Sequence, residues 1–127
     1  MKTILVDAIN TLIIKDSGIN EELHQLLEQY PNKKIILTNA NDEQMESFGL
    51  NNMPYPLFTL KHNPDKDDPE YFRKLLEDLK GGAEEMIYIE HNLGAVKSAQ
   101  SVGITSHHYD PEKKDLQAVK QFLNENL

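Results

Sequence analysis

Residues 3–7 of the chain read Thr-Ile-Leu-Val-Asp, a short β-branched and largely apolar run that ends in a carboxylate. Such a run is typical of a strand that is buried on both faces, as strands of parallel sheets are. In open parallel sheets, ligands bind beyond the carboxyl ends of the strands. The stretch therefore predicts a fold class and places Asp7 where a site would begin.

Similar apolar runs alternate with helical patterns along the rest of the chain. Further strands are predicted at residues 34–37, 57–60, 86–89 and 104–109. Helices are predicted at residues 21–30, 42–48, 92–102 and 113–127, with another that begins at Pro69 and stops before Gly81. Strands that alternate with helices imply an α/β fold with a parallel sheet covered on both faces. With 127 residues and no linker-like segment, we expect a single domain spanning residues 1–127.

The composition excludes several classes of function. The chain has 21 acidic and 13 basic residues and a net charge of -8, which disfavours binding to nucleic acid. It contains no cysteine, so disulfide scaffolds, thiol chemistry and cysteine zinc sites are excluded. No apolar run approaches the ~20 residues that a membrane helix needs, and the N-terminus does not resemble a signal peptide. We expect a cytoplasmic protein that does not bind membranes.

Polar residues follow four of the predicted strands. Asp7 ends the first, Thr38-Asn39 follow the second, and Glu90 follows the fourth. The basic loop 61–66 follows the third and supplies two lysines, Lys61 and Lys66. Carboxylates, a hydroxyl group and an ammonium group at one sheet edge are suited to phosphate or metal chemistry. By residue type and position, either lysine can provide the cation of the site.

Four motifs resemble those of the haloacid dehalogenase-like (HAD) superfamily and occur in the same order. Residues 4–12, Ile-Leu-Val-Asp-Ala-Ile-Asn-Thr-Leu, resemble its strand followed by Asp-x-Asp-x-Thr-Leu, and residues 35–39, Ile-Ile-Leu-Thr-Asn, its strand ending in Thr or Ser. Residues 66–72, Lys-Asp-Asp-Pro-Glu-Tyr-Phe, are similar to its lysine motif. Residues 87–92, Ile-Tyr-Ile-Glu-His-Asn, with the later Gly103-Ile104, resemble its strand, Asp-Asp and helix. The match covers nearly the whole chain.

The resemblance implies a three-layer Rossmann-like core with sheet order 5-4-1-2-3, so that the first strand is central. The segments 11–20 and 39–60 are too short for the cap domains that many relatives carry, so we expect a capless core. By the same resemblance, the catalytic residues are Asp7, Thr38 and Lys66; the phosphate-binding residues are Thr38, Asn39 and Lys66; and the Mg²⁺ ligands are Asp7, the Ile9 backbone carbonyl and Glu90.

Three positions depart from the family pattern. Ile9 stands where the family's phosphatases carry the aspartate that acts as general acid and base, and it cannot transfer a proton. Glu90 is one methylene longer than the family's metal-binding aspartate, and His91 replaces the next aspartate. General acid–base catalysis contributes about 10²–10⁴ in rate. These departures predict a weakened magnesium site and impaired chemistry.

Two hypotheses for the function follow. The first is a weak or specialised Mg²⁺-dependent phosphatase with Asp7 as nucleophile, and the second is an impaired relative that acts as a binding or interaction module. Retention of Asp7, Thr38 and Lys66 favours the hydrolase, whereas Ile9, Glu90 and His91 favour the module. In either case the expected partner is a phosphorylated small molecule or protein.

Overall fold

The Thr-Ile-Leu-Val-Asp stretch forms the central strand of a five-stranded parallel sheet in the computed structural model, which describes residues 1–127. The strands are β1 (Thr3–Asp7), β2 (Ile13–Ile14), β3 (Gly18–Ile19), β4 (Lys34–Thr38), β5 (Leu57–Thr59), β6 (Met86–Glu90) and β7 (Thr105–His108). The helices are α1 (Glu21–Glu28), α2 (Asp42–Ser47), α3 (Pro69–Leu79), α4 (Leu93–Ser101) and α5 (Leu116–Asn126).

The strand order of the main sheet is β5-β4-β1-β6-β7. Counting only these five strands along the chain, and starting from the β7 edge, the order is 5-4-1-2-3, as the family resemblance implies. The difference from expectation is a second, two-stranded antiparallel sheet, β2–β3, between β1 and α1. This hairpin and the short α2 lie in the segments 11–20 and 39–60, and neither segment forms a separate domain over the core.

Two hydrophobic cores lie on opposite faces of the sheet. Because successive strand residues point to opposite faces, Ile4 and Val6 pack in one core and Leu5 in the other. The first core includes α1 and α5 side chains such as Leu23 and Val119, and the second includes α3 side chains such as Phe72. Burial on both faces explains the apolar runs of the central strands.

Side-chain caps determine where the helices begin. Asp115 accepts a hydrogen bond from the Ala118 backbone N–H at 3.1 Å, so α5 begins at Leu116. The start predicted for this helix, Lys113, is wrong, because residues 111–113 form a turn and Lys114 has a positive φ of 49°. Such a φ is incompatible with a right-handed helix. None of the five helices combines the length and hydrophobicity that crossing a membrane requires.

Asn20 connects the loop after β1 to the far edge of the sheet. Its side chain accepts from the Leu23 backbone N–H at 3.3 Å and caps α1. Its amide group donates to the Thr11 carbonyl and to the Tyr109 hydroxyl, both at 3.2 Å. Asn20 is only 6% exposed, so these partners have little access to water. One side chain thus holds together three segments near the candidate site.

We expect Asn20→Ala to lower the free energy of unfolding by about 2–3 kcal/mol, because it removes a helix cap and leaves buried polar groups unpaired. Urea denaturation measures the change. The matched control is Asp115→Ala, which removes the exposed cap of α5 and should cost only about 1 kcal/mol. Equal losses in the two variants would contradict the connecting role of Asn20.

Candidate active site

Three strand ends meet at the C-terminal edge of the main sheet. Asp7 ends β1, Thr38 ends β4 and Glu90 ends β6. Because β1 pairs in parallel with both β4 and β6, the three residues are neighbours, and each is at most 6% exposed. A buried carboxylate is costly unless it is paired and hydrogen-bonded. Two of them side by side therefore require compensating cations.

Lys66 is the first of these cations. Its ammonium group contacts Asp7 Oδ1 and lies 2.7 Å from Glu90 Oε1 and 3.4 Å from the Leu37 carbonyl. Lys61, the other candidate from the sequence, instead pairs with Asp42 at 3.0 Å on the exposed surface. The structure therefore places Lys66 in the cationic position beside Asp7.

His91 is the second cation, and sequence analysis did not include it among the site residues. Its Nδ1 donates to Asp7 Oδ2 and lies 3.2 Å from Glu90 Oε2. Its backbone carbonyl accepts from the His108 ring at 2.8 Å. The side chain is 27% exposed, and its other ring nitrogen, Nε2, has no hydrogen-bond partner in the protein. His91 thus joins the buried carboxylates to the solvent side of the site.

Uncharged donors bind the remaining positions on the two carboxylates. The Thr11 hydroxyl donates to Asp7 Oδ2 at 2.9 Å. The Tyr88 hydroxyl donates to Glu90 Oε1, and the Asn92 backbone N–H donates to Glu90 Oε2 at 3.0 Å. Tyr88 precedes Glu90 by two residues on β6, the spacing that places two side chains on the same face of a strand. That spacing is the signal by which the tyrosine could have been found.

The charges of the cluster reinforce one another. Burial raises the pKa of Asp7, but the charge of Lys66 and the hydrogen bond from His91 outweigh it and hold the pKa well below its usual value. For Lys66, burial lowers the pKa, but the carboxylates of Asp7 and Glu90 outweigh it and raise it. Hydrogen bonds to Asp7 and Glu90 raise the pKa of His91 to about 9. The lowered pKa of Asp7 and the raised pKa values of Lys66 and His91 therefore keep these three groups charged at neutral pH.

Thr38 and Asn39 have structural contacts within the site. Thr38 Oγ1 accepts from the Ala40 backbone N–H at 3.2 Å, and the Thr38 carbonyl accepts from the Tyr71 hydroxyl at 2.9 Å. Asn39 Oδ1 accepts from the Lys66 backbone N–H at 2.8 Å, which anchors the loop that carries the lysine. The side-chain oxygen of Asn39 therefore positions the Lys66 backbone, a role that the motif pattern did not indicate.

All six residues predicted for the site line one open cleft of about 350 Å³. Its other walls come from α2, the loop 62–67 and the start of α4, and its lining residues are Asp7, Ile9, Thr38, Asn39, Ala40, Gln44, Phe48, His62, Asp65, Lys66, Asp67, Glu90, His91, Asn92 and Ala95. Ile9 lines the cleft and packs against the first hydrophobic core, and it offers no acidic group for proton transfer.

Asp7, Glu90 and His91 form a cluster whose ligand atoms lie within 4.8 Å of one another, a composition that can hold a metal ion. The set does not fit Mg²⁺ as it stands. Each of the four carboxylate oxygens already accepts a donor or faces a cation from the protein. His91 also offers a nitrogen, whereas Mg²⁺ prefers oxygen ligands in near-octahedral geometry.

Comparison with known proteins identifies relatives by structure alone. The sequence matches no family model and no curated protein. A HAD family enzyme from Bacteroides thetaiotaomicron superposes with a TM-score of 0.73 at 14% identity, over 94% of this chain and 98% of that one. The same enzyme in complex with magnesium and inorganic phosphate gives 0.69 at 15% identity, over 87% and 95%. A "predicted HAD-like family hydrolase" from Porphyromonas gingivalis gives 0.70 at 11% identity, over 97% and 98%.

These matches establish the fold. The chain has the α/β architecture of HAD family enzymes, and its length and that of these neighbours agree almost end to end. At 11–15% identity the likeness does not extend to substrate or reaction. What the cleft does must therefore be argued from its own residues.

The elevated pKa of His91 makes the stability of the protein depend on pH. The folded state holds the His91 proton up to about pH 9, whereas the unfolded chain releases it near 6.5. The stabilisation is therefore complete below pH 6.5 and is lost as the pH rises through 9, by up to about 3 kcal/mol. Urea unfolding near pH 6.5 and near pH 9.5 should show this decrease in the wild type.

The matched variant for this experiment is His91→Asn, whose amide can still donate to Asp7 but carries no titrating proton. We expect its free energy of unfolding to change much less between the two pH values. Other titrating groups are shared by both proteins and cancel in the comparison. If both proteins lose the same stability, His91 is not the group responsible.

Proposed function

We propose that this domain, which has the HAD fold, is a slow hydrolase of phosphate esters with Asp7 as its nucleophile. The observation that carries the proposal is the position of Asp7 at the end of the central strand, in an open cleft and in contact with Lys66. Of the two Asp7 oxygens, Oδ1 has a single donor, Lys66, and Oδ2 has two, Thr11 and His91. Oδ1 is therefore the oxygen with a lone pair for attack.

In the proposed first step, Asp7 Oδ1 attacks phosphorus and the bond to the ester oxygen breaks. The products are an aspartyl phosphate and an alkoxide, which takes a proton from water. Water then attacks the aspartyl phosphate, releases inorganic phosphate and regenerates the carboxylate. Lys66 and His91 are the cations available to offset the added negative charge of the phosphoryl group, and the Thr38 hydroxyl is available as a hydrogen-bond donor.

The chemistry of the cleft supports a low rate. Ile9 cannot protonate the leaving oxygen, and the loss of general acid catalysis costs about 10²–10⁴ in rate. Both cations are also committed to the carboxylates in the absence of a ligand, so a phosphate ester must compete for their charge. Phosphate esters with good leaving groups need the least protonation, so their hydrolysis rate falls least when the general acid is absent.

The shape of the cleft supports a substrate class. With no cap domain over the strand ends, the site is open to solvent, and a phosphate on a larger molecule can reach it. A phosphorylated small molecule or a phosphorylated protein is therefore the proposed substrate.

The second candidate function is a binding module without turnover. It is favoured by Ile9 and by the donors that each carboxylate oxygen already contacts, because both oppose catalysis. In this case the cleft holds a phosphorylated ligand or partner, and Asp7 acts only through its charge. The two candidates differ in whether any hydrolysis depends on Asp7.

Restoring the missing acid tests the proposal. We expect Ile9→Asp to raise hydrolysis of an alkyl phosphate by at least ~10²-fold, the low end of general acid catalysis. The gain should be smaller for para-nitrophenyl phosphate, because its leaving group needs little protonation. Phosphate release under saturating substrate measures both rates.

Two further variants complete the test. The asparagine of Ile9→Asn is nearly the same size as the aspartate of Ile9→Asp and is also polar, but it cannot donate a proton as an acid. This variant should therefore show no gain in hydrolysis. Asp7→Asn, alone or with Ile9→Asp, should reduce hydrolysis to the background rate. Circular dichroism and urea unfolding confirm folding beforehand, since Ile9 packs against the core. A folded Ile9→Asp variant without Asp7-dependent turnover of either ester would establish the binding module instead.

A further inference from the structure

Each of the two side-chain cations bridges the same pair of carboxylates. Lys66 Nζ contacts Asp7 Oδ1 and Glu90 Oε1, and His91 Nδ1 contacts Asp7 Oδ2 and Glu90 Oε2. Every carboxylate oxygen of the pair therefore belongs to one of two bridges. A cation shared by Asp7 and Glu90 would therefore have to compete with these two nitrogen atoms for the carboxylate oxygens.

The rest of the cluster stabilises this arrangement. Thr11 and Tyr88 donate to oxygens that already contact His91 and Lys66, so a metal ion would have to displace one of these donors or a bridge. The His108 ring donates to the His91 carbonyl, which restrains the backbone of the residue that forms the second bridge. The side chains of Asp7 and Glu90 are 4% and 0% exposed, so replacement water cannot easily compensate for a lost donor.

We propose that His91, together with Lys66, takes the place of a divalent cation, so that the Asp7–Glu90 pair operates without a metal. The inference rests on the proposed function only in treating Asp7 as the reacting carboxylate. A histidine in place of a bound metal gives the cleft a charge that is part of the fold and does not depend on metal supply. It also accounts for the failure of the donor set to fit Mg²⁺.

The test measures metal binding through thermal stability, which needs no activity. Bound metal is first removed with a chelator, and the chelator is removed by dialysis. The melting temperature is then recorded as the Mg²⁺ concentration is raised to about 100 times a Kd in the millimolar range. Sodium chloride of equal ionic strength serves as the reference. We expect no Mg²⁺-specific shift in the wild type. A saturable rise that Asp7→Asn abolishes would overturn the proposal.

The converse arm removes the proposed substitute. In His91→Ala, Asp7 Oδ2 and Glu90 Oε2 lose their shared contact, and we expect Mg²⁺ to raise the melting temperature by roughly 5 °C or more. The matched control is His62→Ala, which removes a histidine of the same cleft that does not contact Asp7 or Glu90 and should gain no response. The absence of a gain in folded His91→Ala would show that His91 does not occupy a metal position, and would also overturn the proposal.

A second variant covers the case in which His91→Ala does not fold. Glu90→Asp with His91→Asp presents oxygen ligands only, and its melting temperature should rise with Mg²⁺ for the same reason. The hydrolysis assay is run on the wild type with and without chelator. If Asp7-dependent hydrolysis is absent while the melting data follow expectation, the proposed function fails and the metal substitution stands. If hydrolysis is present but the chelator removes it, the metal substitution fails and the hydrolase stands.

Discussion

The burial of the Asp7 carboxylate at the end of the central strand is the constraint on which the C-terminal edge of the sheet depends. An ionised carboxylate in such a place is tolerated only with paired charges and hydrogen bonds. The protein meets this requirement with a lysine from one loop, a histidine from another and a hydroxyl from the turn after β1. Three segments that are distant along the chain therefore meet at Asp7.

Glu90 adds a second buried carboxylate, and its oxygens provide a second contact for each of the two cations. A second buried carboxylate beside the first would be repulsive alone, but it lets one ammonium and one imidazole bridge the pair. The result is that Asp7 and Glu90 share the same two cationic partners, inside a protein whose overall charge is -8. Removing either cation would leave an uncompensated buried charge, a change that typically costs several kcal/mol. Stability and the chemistry of the cleft are therefore coupled.

The departures from the HAD pattern have two physical consequences: a proton donor is lost, and so is an oxygen ligand for a metal. Ile9 removes the proton donor, and His91 removes an oxygen ligand while adding a cation. A cleft changed in this way still places two cationic side chains beside a carboxylate, the arrangement on which the proposed function depends.

Local pattern was sufficient to predict the five strands, their parallel arrangement and the candidate residues at their ends. Short apolar runs reflect burial on both sheet faces, and this requirement is read from neighbouring residues alone. The motif order added the strand order. The β2–β3 hairpin was not predicted because a two-residue strand is too short to show an alternating pattern. The start of α5 was misplaced because the positive φ of Lys114 arises in the folded loop and leaves no signal in the sequence.

The electrostatic pairing at the site, in contrast, is a property of the folded chain. By residue type Lys61 and Lys66 were both candidates, and only the motif resemblance favoured Lys66; its contact with Asp7, and that of its backbone with Asn39, 27 residues away, exist only in the folded chain. His91 and Asp7 lie 84 residues apart, and nothing local to either residue indicates that they meet. Side-chain charges act over a few ångströms in space whatever their separation along the chain. The sequence by itself therefore determined the six predicted residues that line the cleft. The partners of these residues, including His91 and Tyr88, were decided by the tertiary structure, because the sheet brings the ends of its strands together.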